Sequence, residues 1–195
     1  DHYDSINTPS YQDETLYMVS VSNMYPFKRV DKVMDVVEEI AKRRAVDWVH
    51  FGDGEQFESL VERSKTLADN VKVDFKGFVS KDEILDQYIG HYVELLIHLS
   101  ETESFGVSLV EAQCHGIPVV ATNTGGIPET IREDSGYLVD VTASPKEIAE
   151  LILKEFTLEK MMDRRLAARR NFSDRFEASY RVSILQQQIE KAYVN

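Results

Sequence analysis

A doubly wound α/β fold, with a parallel sheet flanked by helices and a helical C-terminal tail, is the class this sequence predicts on three observations. Short β-branched apolar runs alternate with stretches whose apolar residues recur every three or four positions, the pattern of strands joined by crossover helices. Several runs are apolar on both faces, as in Trp48, Val49 and Phe51 or Leu95, Leu96 and Ile97, which suits strands covered from both sides. After Phe156 the strand pattern stops and helical periodicity alone continues.

Residues 1–14 are rich in Asp, Ser, Thr, Asn and Gln without an apolar period, and read as a linker or tail ahead of the fold. Leu16–Val21 is the first strand. The helix after it gathers Val30, Val33, Met34, Val37, Ile40 and Ala41 on one stripe and ends in Lys42, Arg43 and Arg44, where cations suit the helix dipole. Val46–Phe51 is the second strand, succeeded by a stripe of Phe57, Leu60, Val61, Leu67 and Ala68. Val71–Phe75 is the third, and the next helix opens on the capping box Ser80-Lys81-Asp82-Glu83. Val93–Leu99 is the fourth strand, with a helix opening near Phe105, and Pro118–Ala121 and Tyr137–Val139 complete the sheet. A second capping box, Ser144-Pro145-Lys146-Glu147, places Pro at the first helical position. Helices over about Leu158–Arg170 and Ser173–Ala192 close the chain. The organisation is a tail (1–14), an α/β unit (15–156) and C-terminal helices (157–195); with no internal repeat, solenoids and propellers drop out.

Composition bounds the function. The chain has 195 residues, 43% of them apolar, and 22 Lys+Arg against 34 Asp+Glu give a net charge of −12. A domain of this length buries roughly 70% of its unfolded surface, so its core needs no disulfide or metal. Cys114, the single cysteine, has no partner for an internal bridge and reads as an inert thiol within a helix. No apolar run approaches the roughly 20 residues that span a bilayer, so the chain reads as soluble. An acidic surface repels phosphate backbones, which argues against a nucleic-acid partner. The histidines lack ligand spacing and no strand ends in paired Asp, so no metal is expected. Gly52-Asp53-Gly54 has two glycines of a dinucleotide fingerprint, but Phe57 stands at the third position and the segment comes after the second strand.

In doubly wound sheets ligands bind outside the carboxyl ends of the strands. The most informative loop there is the fourth, where Glu103 and Glu111, with seven residues between them, would face one crevice. Between them Gly106, Val107 and Ser108 begin a helix, whose free amides accept a phosphate or another anion. Carboxylates accept from sugar hydroxyls, so a ligand bearing both phosphate and hydroxyls fits this mixture. A solvated Glu103 and an ordinary helix-surface Glu111 fit the spacing as well. In the first loop, Lys28 and Arg29 are either an electropositive element for a departing diphosphate or a solvated helix start.

Several motifs in order carry a resemblance: Glu103-Ser-Phe-Gly through Glu111-Ala, His115-Gly-Ile-Pro-Val-Val-Ala-Thr, Gly125-Gly-Ile-Pro-Glu129, Phe51-Gly-Asp-Gly-Glu55, Gly77-Phe-Val and the Lys28 loop. Over about residues 16–156 the chain resembles the C-terminal, donor-binding domain of family-four retaining glycosyltransferases, the Rossmann-like half of the two-domain GT-B fold. The resemblance implies that Glu111 holds the ribose and Glu103 the transferred sugar. It puts backbone groups of Gly77, Phe78 and Val79 at the base, the amides around Phe105, Gly106, Val107 and Ser108 at the diphosphate, and Lys28 on the leaving group. Family members usually carry Arg five residues before this lysine, where this chain has Asn23, and Gly where it has Arg29, so either Arg29 supplies the second positive charge or the site works with Lys28 alone.

The resemblance further implies metal-independent transfer from a nucleoside-diphosphate sugar, without a cofactor, to an acceptor hydroxyl of a glycan or lipid-linked sugar. The setting it implies is polysaccharide or glycolipid synthesis in the cytoplasm or at the membrane's inner face. It also implies an N-terminal acceptor-binding domain missing from this chain, so that the fragment alone would bind nucleotide and transfer nothing. A non-catalytic nucleotide-sugar-binding or assembly module with the same fold, and a sugar phosphorylase, are the rival readings. A glycosidase pair is disfavoured, because nothing nearby would raise one carboxyl into a general acid.

Overall fold

The computed structural model describes residues 15–177. The expected tail over 1–14, and the last expected helix beyond residue 177, lie outside the described residues. Six strands, β1 (Leu16–Val21), β2 (Val46–Phe51), β3 (Val71–Phe75), β4 (Leu95–His98), β5 (Val119–Thr122) and β6 (Gly136–Val139), form one sheet in the order β3-β2-β1-β4-β5-β6. Every pair in it is parallel. The helices are α1 (Val30–Ala41), α2 (Phe57–Ser64), α3 (Lys81–Gly90), α4 (Val107–Cys114), α5 (Pro145–Glu155) and α6 (Leu158–Phe172), the last running into a π turn over Ser173–Glu177.

Strand alternation sorts the core into two layers. Leu16 and Met18 of β1, Val46 and Trp48 of β2, and Leu95 and Ile97 of β4 pack with α1 and α5 on one face. Val19, Phe51 and Leu96 point the other way, onto α3 and α4. Both capping boxes form, with Ser80 and Ser144 accepting from the backbone of Glu83 and Glu147. Because the chain winds outward from β1 to β3 and then returns to place β4 beside β1, the direction of winding reverses between β1 and β4. That reversal leaves a crevice at their carboxyl ends.

Several expectations shift, among them the fourth strand, which spans Leu95–His98 rather than Val93–Leu99. Helix α2 stops at Ser64, so Leu67 and Ala68 lie past it, although Leu67 still packs on the core. Helix α4 starts at Val107 rather than near Phe105, because Gly106 caps it in a left-handed conformation, and Cys114 is its last residue rather than a mid-helix one. Arg44 does more than complement a dipole. It donates to both oxygens of the buried Glu94, at 2.8 and 2.9 Å, and to the Thr15 and Phe156 carbonyls, tying down the end of the sheet opposite the crevice.

Candidate functional site

The loops on either side of the reversal are sewn together by backbone. Glu101 N–H donates to Phe27 O at 2.8 Å, and the Ser100 hydroxyl, which donates to Thr102 O at 2.6 Å, lies 3.2 Å from the same Phe27 carbonyl. This brings two ion pairs across the crevice. Lys28 Nζ donates to Glu103 Oε2 at 2.7 Å and Arg29 Nη1 to Glu101 Oε1 at 2.7 Å. The first pair is mostly enclosed, its side chains 16% and 18% exposed. The other Glu103 oxygen accepts from Ser104 N–H at 3.0 Å. The imidazole of His98 at 3.4 Å and the Lys28 ammonium together hold the Glu103 carboxyl well below the usual carboxylate range.

Two glycine segments make this close approach possible. A Cβ on Gly125 would lie 1.9 Å from Glu103 O, so the Gly125-Gly126 turn can back the Glu103 loop only without side chains. A Cβ on Gly52 would come within 1.8 Å of Ser22 O, which is how the loop after β2 closes against the one that carries Lys28. The Gly52-Asp53-Gly54 segment therefore packs a neighbouring loop. Met24 N–H donates to Asp53 O at 2.9 Å, and Gln56 N–H to Met24 O at 3.0 Å. From below, Trp48 Nε1 donates to Ser20 Oγ (2.8 Å), Ser20 meets His50 Nδ1 (2.7 Å) and His50 Nε2 meets Ser22 O (3.1 Å). With the proton on Nε2 every polar atom in this chain of contacts is satisfied. Burial pushes His50 down to about 4, which keeps it neutral.

The remaining expected residues are distributed around this pair. Gly106, with φ 81°, caps α4 beside Glu103, and no side chain caps that helix start at Val107 and Ser108. Phe105 stands over it, edge-on to Phe176 at 6.1 Å between ring centroids. Glu111 lies further along α4, where Lys81 at the start of α3 reaches its Oε1 at 2.6 Å. The Gly77-Phe78-Val79 segment leads into that start; Gly77 O accepts from Gly52 N–H at 2.9 Å, and Phe78 is 87% exposed. The structure thus joins Lys28, Glu103 and the opening of α4 directly, and engages Glu111 with a separate lysine. His98 and Lys81 carry no signal for these roles in the sequence: His98 belongs to no motif, Lys81 stands only within a capping box, and both meet their acidic partners only through the tertiary fold. Among the described residues no three His, Cys, Asp or Glu side chains group as a metal site, and no helix is long and apolar enough to cross a membrane.

Fold and crevice together define a doubly wound α/β domain whose strand carboxyl ends carry a lysine–carboxylate pair beside a helix start that no side chain caps. Residues 5–172 match the family described as glycosyl transferases group 1, and the chain belongs to that family. It is 32% identical over 169 residues to N-acetyl-alpha-D-glucosaminyl L-malate synthase of Bacillus anthracis, covering 85% of this chain and 43% of that protein. It is 33% identical over 118 residues to the phosphatidylinositol N-acetylglucosaminyltransferase gpi3 subunit of Schizosaccharomyces pombe, covering 60% of this chain and 25% of that one. Among solved structures, Anabaena HepE in complex with UDP-glucose superposes with a TM-score of 0.72 at 26% identity, over 94% of this chain and 50% of that one. TarM of S. aureus, at 24% identity, shares the fold with a TM-score of 0.70 over 96% of this chain and 37% of that one. The chain spans half or less of the length of each, and its fold is the Rossmann-like one of GT-B enzymes.

Proposed function

We propose that this chain is the donor-binding half of a retaining, metal-independent glycosyltransferase that moves a sugar from a nucleoside diphosphate to an acceptor hydroxyl. The observation that carries the reading is the Lys28–Glu103 pair, which bridges the β1–β4 reversal beside the free amides of α4. A departing diphosphate gathers negative charge, so a lysine and a helix start aimed at it favour the transition state over the ground state. Glu103, ionised and fixed by Ser104 N–H, is suited to accept from hydroxyls of the transferred sugar. Glu111 would take the ribose hydroxyls once Lys81 turns aside, and backbone groups at Gly77, Phe78 and Val79 would meet the base. Lys28 and Lys81 each pair with one of these acids, so donor binding would exchange these ion pairs for contacts to the nucleotide sugar.

HepE was solved with UDP-glucose, and N-acetylglucosaminyl stands in the names of both curated relatives, which makes UDP-glucose and UDP-N-acetylglucosamine the first donors to test. The acceptor would be held by a second domain, in polysaccharide or glycolipid assembly at the cytoplasmic side of a membrane. No resident cofactor enters this scheme.

Calorimetry on the chain with UDP and with each UDP-sugar tests the assignment. Glu111→Ala should weaken UDP at least about tenfold, an amount on the order of one charge-assisted hydrogen bond. Glu103→Ala should leave UDP affinity intact while abolishing the preference for the sugar-bearing donor. Unchanged UDP binding in Glu111→Ala, or no binding of any nucleoside diphosphate, would overturn it.

A further inference from the structure

Glu103 has a neighbour that none of the motifs contains. His98 is the last residue of β4, 4% exposed, and its Nε2 lies 3.4 Å from Glu103 Oε2. That separation exceeds the roughly 2.9 Å of a formed N–H···O bond, and Nε2 has no other hydrogen-bond partner. Buried polar atoms are nearly always paired, so one left open and directed at a carboxylate marks an interaction completed in another state. Lys28 Nζ sits on the same Oε2 at 2.7 Å, so ammonium and imidazole are both directed at one carboxylate oxygen.

We infer that His98 is a positioning residue for Glu103: with its proton on Nε2, it closes onto Oε2 when the donor diphosphate draws Lys28 away. This role rests on the donor-site reading of the crevice. Lys28 cannot remain on the carboxylate and also meet the leaving group. Without a replacement, a mostly enclosed acid would lose its side-chain donor at the moment it must orient the sugar. A shift of about half an ångström brings the imidazole into hydrogen-bond range. The other groups nearby are occupied. Glu101 on the same loop is held by Arg29, and His50, the other buried imidazole, is satisfied by Ser20 and Ser22. Ser104 N–H already anchors Oε1, so Oε2 is the oxygen that changes partner.

The test is NMR on the chain labelled at the Glu carboxyls and the His rings. In a Lys28→Met background, which removes the competing ammonium without any ligand, His98→Leu should raise the proton affinity of Glu103 about tenfold or more. His98→Gln, whose amide N–H reaches the same oxygen, should restore it. With Lys28 present the effect of His98→Leu should be several-fold smaller, and adding UDP should bring it back. A merely structural histidine would lower the melting temperature in both variants without moving the Glu103 titration. Equal effects with and without Lys28, no effect of His98→Leu, or a ring protonated only on Nδ1 would overturn the proposal. Should His98→Leu fail to fold, the ring tautomer and the His98→Gln titration decide it. If the Lys28→Met results hold but UDP does not bind, the donor-site reading fails and the His98–Glu103 link stands.

Discussion

Arg29 is the one non-glycine residue among those described with a left-handed backbone, at φ 53° and ψ 40°. It both caps the 3-10 turn over Pro26–Lys28 and starts α1, so the sharp change of direction that presents Lys28 to the crevice falls on this residue. An L-residue held there costs roughly 1–2 kcal/mol, which is the physical reason for the glycine that the resemblance places at this position. The ion pair with Glu101 is exposed and contributes at most about 1 kcal/mol in return. Arg29→Gly should therefore leave stability within about 1 kcal/mol of the parent in urea denaturation, because relief of strain offsets the lost pair and glycine's greater unfolded freedom. Arg29→Val should cost about 1–2 kcal/mol, since a β-branched residue tolerates this backbone least. A large loss in the Gly variant would mean that the cation itself holds the loop.

Between elements, the site is fixed by buried polar contacts that no local pattern announces. Gln113, on α4, donates to Thr130 O at 3.0 Å and accepts from Ser135 at 3.1 Å and from Asn171 of α6 at 2.6 Å. Asn171 also donates to Thr130 O at 2.9 Å, and both amides are fully buried. This network clamps α6 to the helix whose start borders the crevice, and to the segment after Gly125-Gly126. Asn171→Leu should cost about 2–4 kcal/mol in urea denaturation, since it removes two buried hydrogen bonds and forces a new shape into a packed site. Hydrogen exchange should then accelerate in α4 and α6 while β1 and β2 stay protected. Uniform acceleration across the sheet would show that the network is not a separate clamp.

At the level of the whole molecule, His50 and Glu155 are two of the shifted groups through which stability responds to acid. His50 titrates near 4 when folded and near 6.5 when unfolded, so the unfolded chain binds the proton first. Its contribution is complete above pH 6.5 and is lost as pH falls to about 4, amounting to roughly 3 kcal/mol at 1.36 kcal/mol per pH unit. Glu155 is held by Tyr137, Lys160 and Arg164, which bring its carboxyl down to about 2, so its contribution disappears lower, between about pH 4.5 and 2. The net charge of −12 acts oppositely, because self-repulsion relaxes as carboxylates protonate. Comparing urea stability of the parent and His50→Gln at pH 4, 5, 6.5 and 7.5 separates these effects. The difference between them should shrink steadily below pH 6.5; a constant difference would show that His50 is not the group titrating.

The sequence alone determined the strands and helices, because pleat alternation, helical stripes and capping boxes depend on residues within a few positions of one another. Leu16–Val21, Val46–Phe51 and Val71–Phe75 have the same bounds in the hydropathy pattern and in the folded sheet. The motifs likewise brought Lys28, Glu103 and the α4 start into view as candidates. Which side chains meet was decided only by the tertiary structure. Lys28 and Glu103 lie 75 residues apart, and Arg44 and Glu94 lie 50 apart; each pair forms because β4 is inserted beside β1. His98 and Lys81 acquire their acidic partners, and Arg29 its strained backbone, from that same packing, since charge pairing and loop closure act through space and leave no periodic trace along the chain.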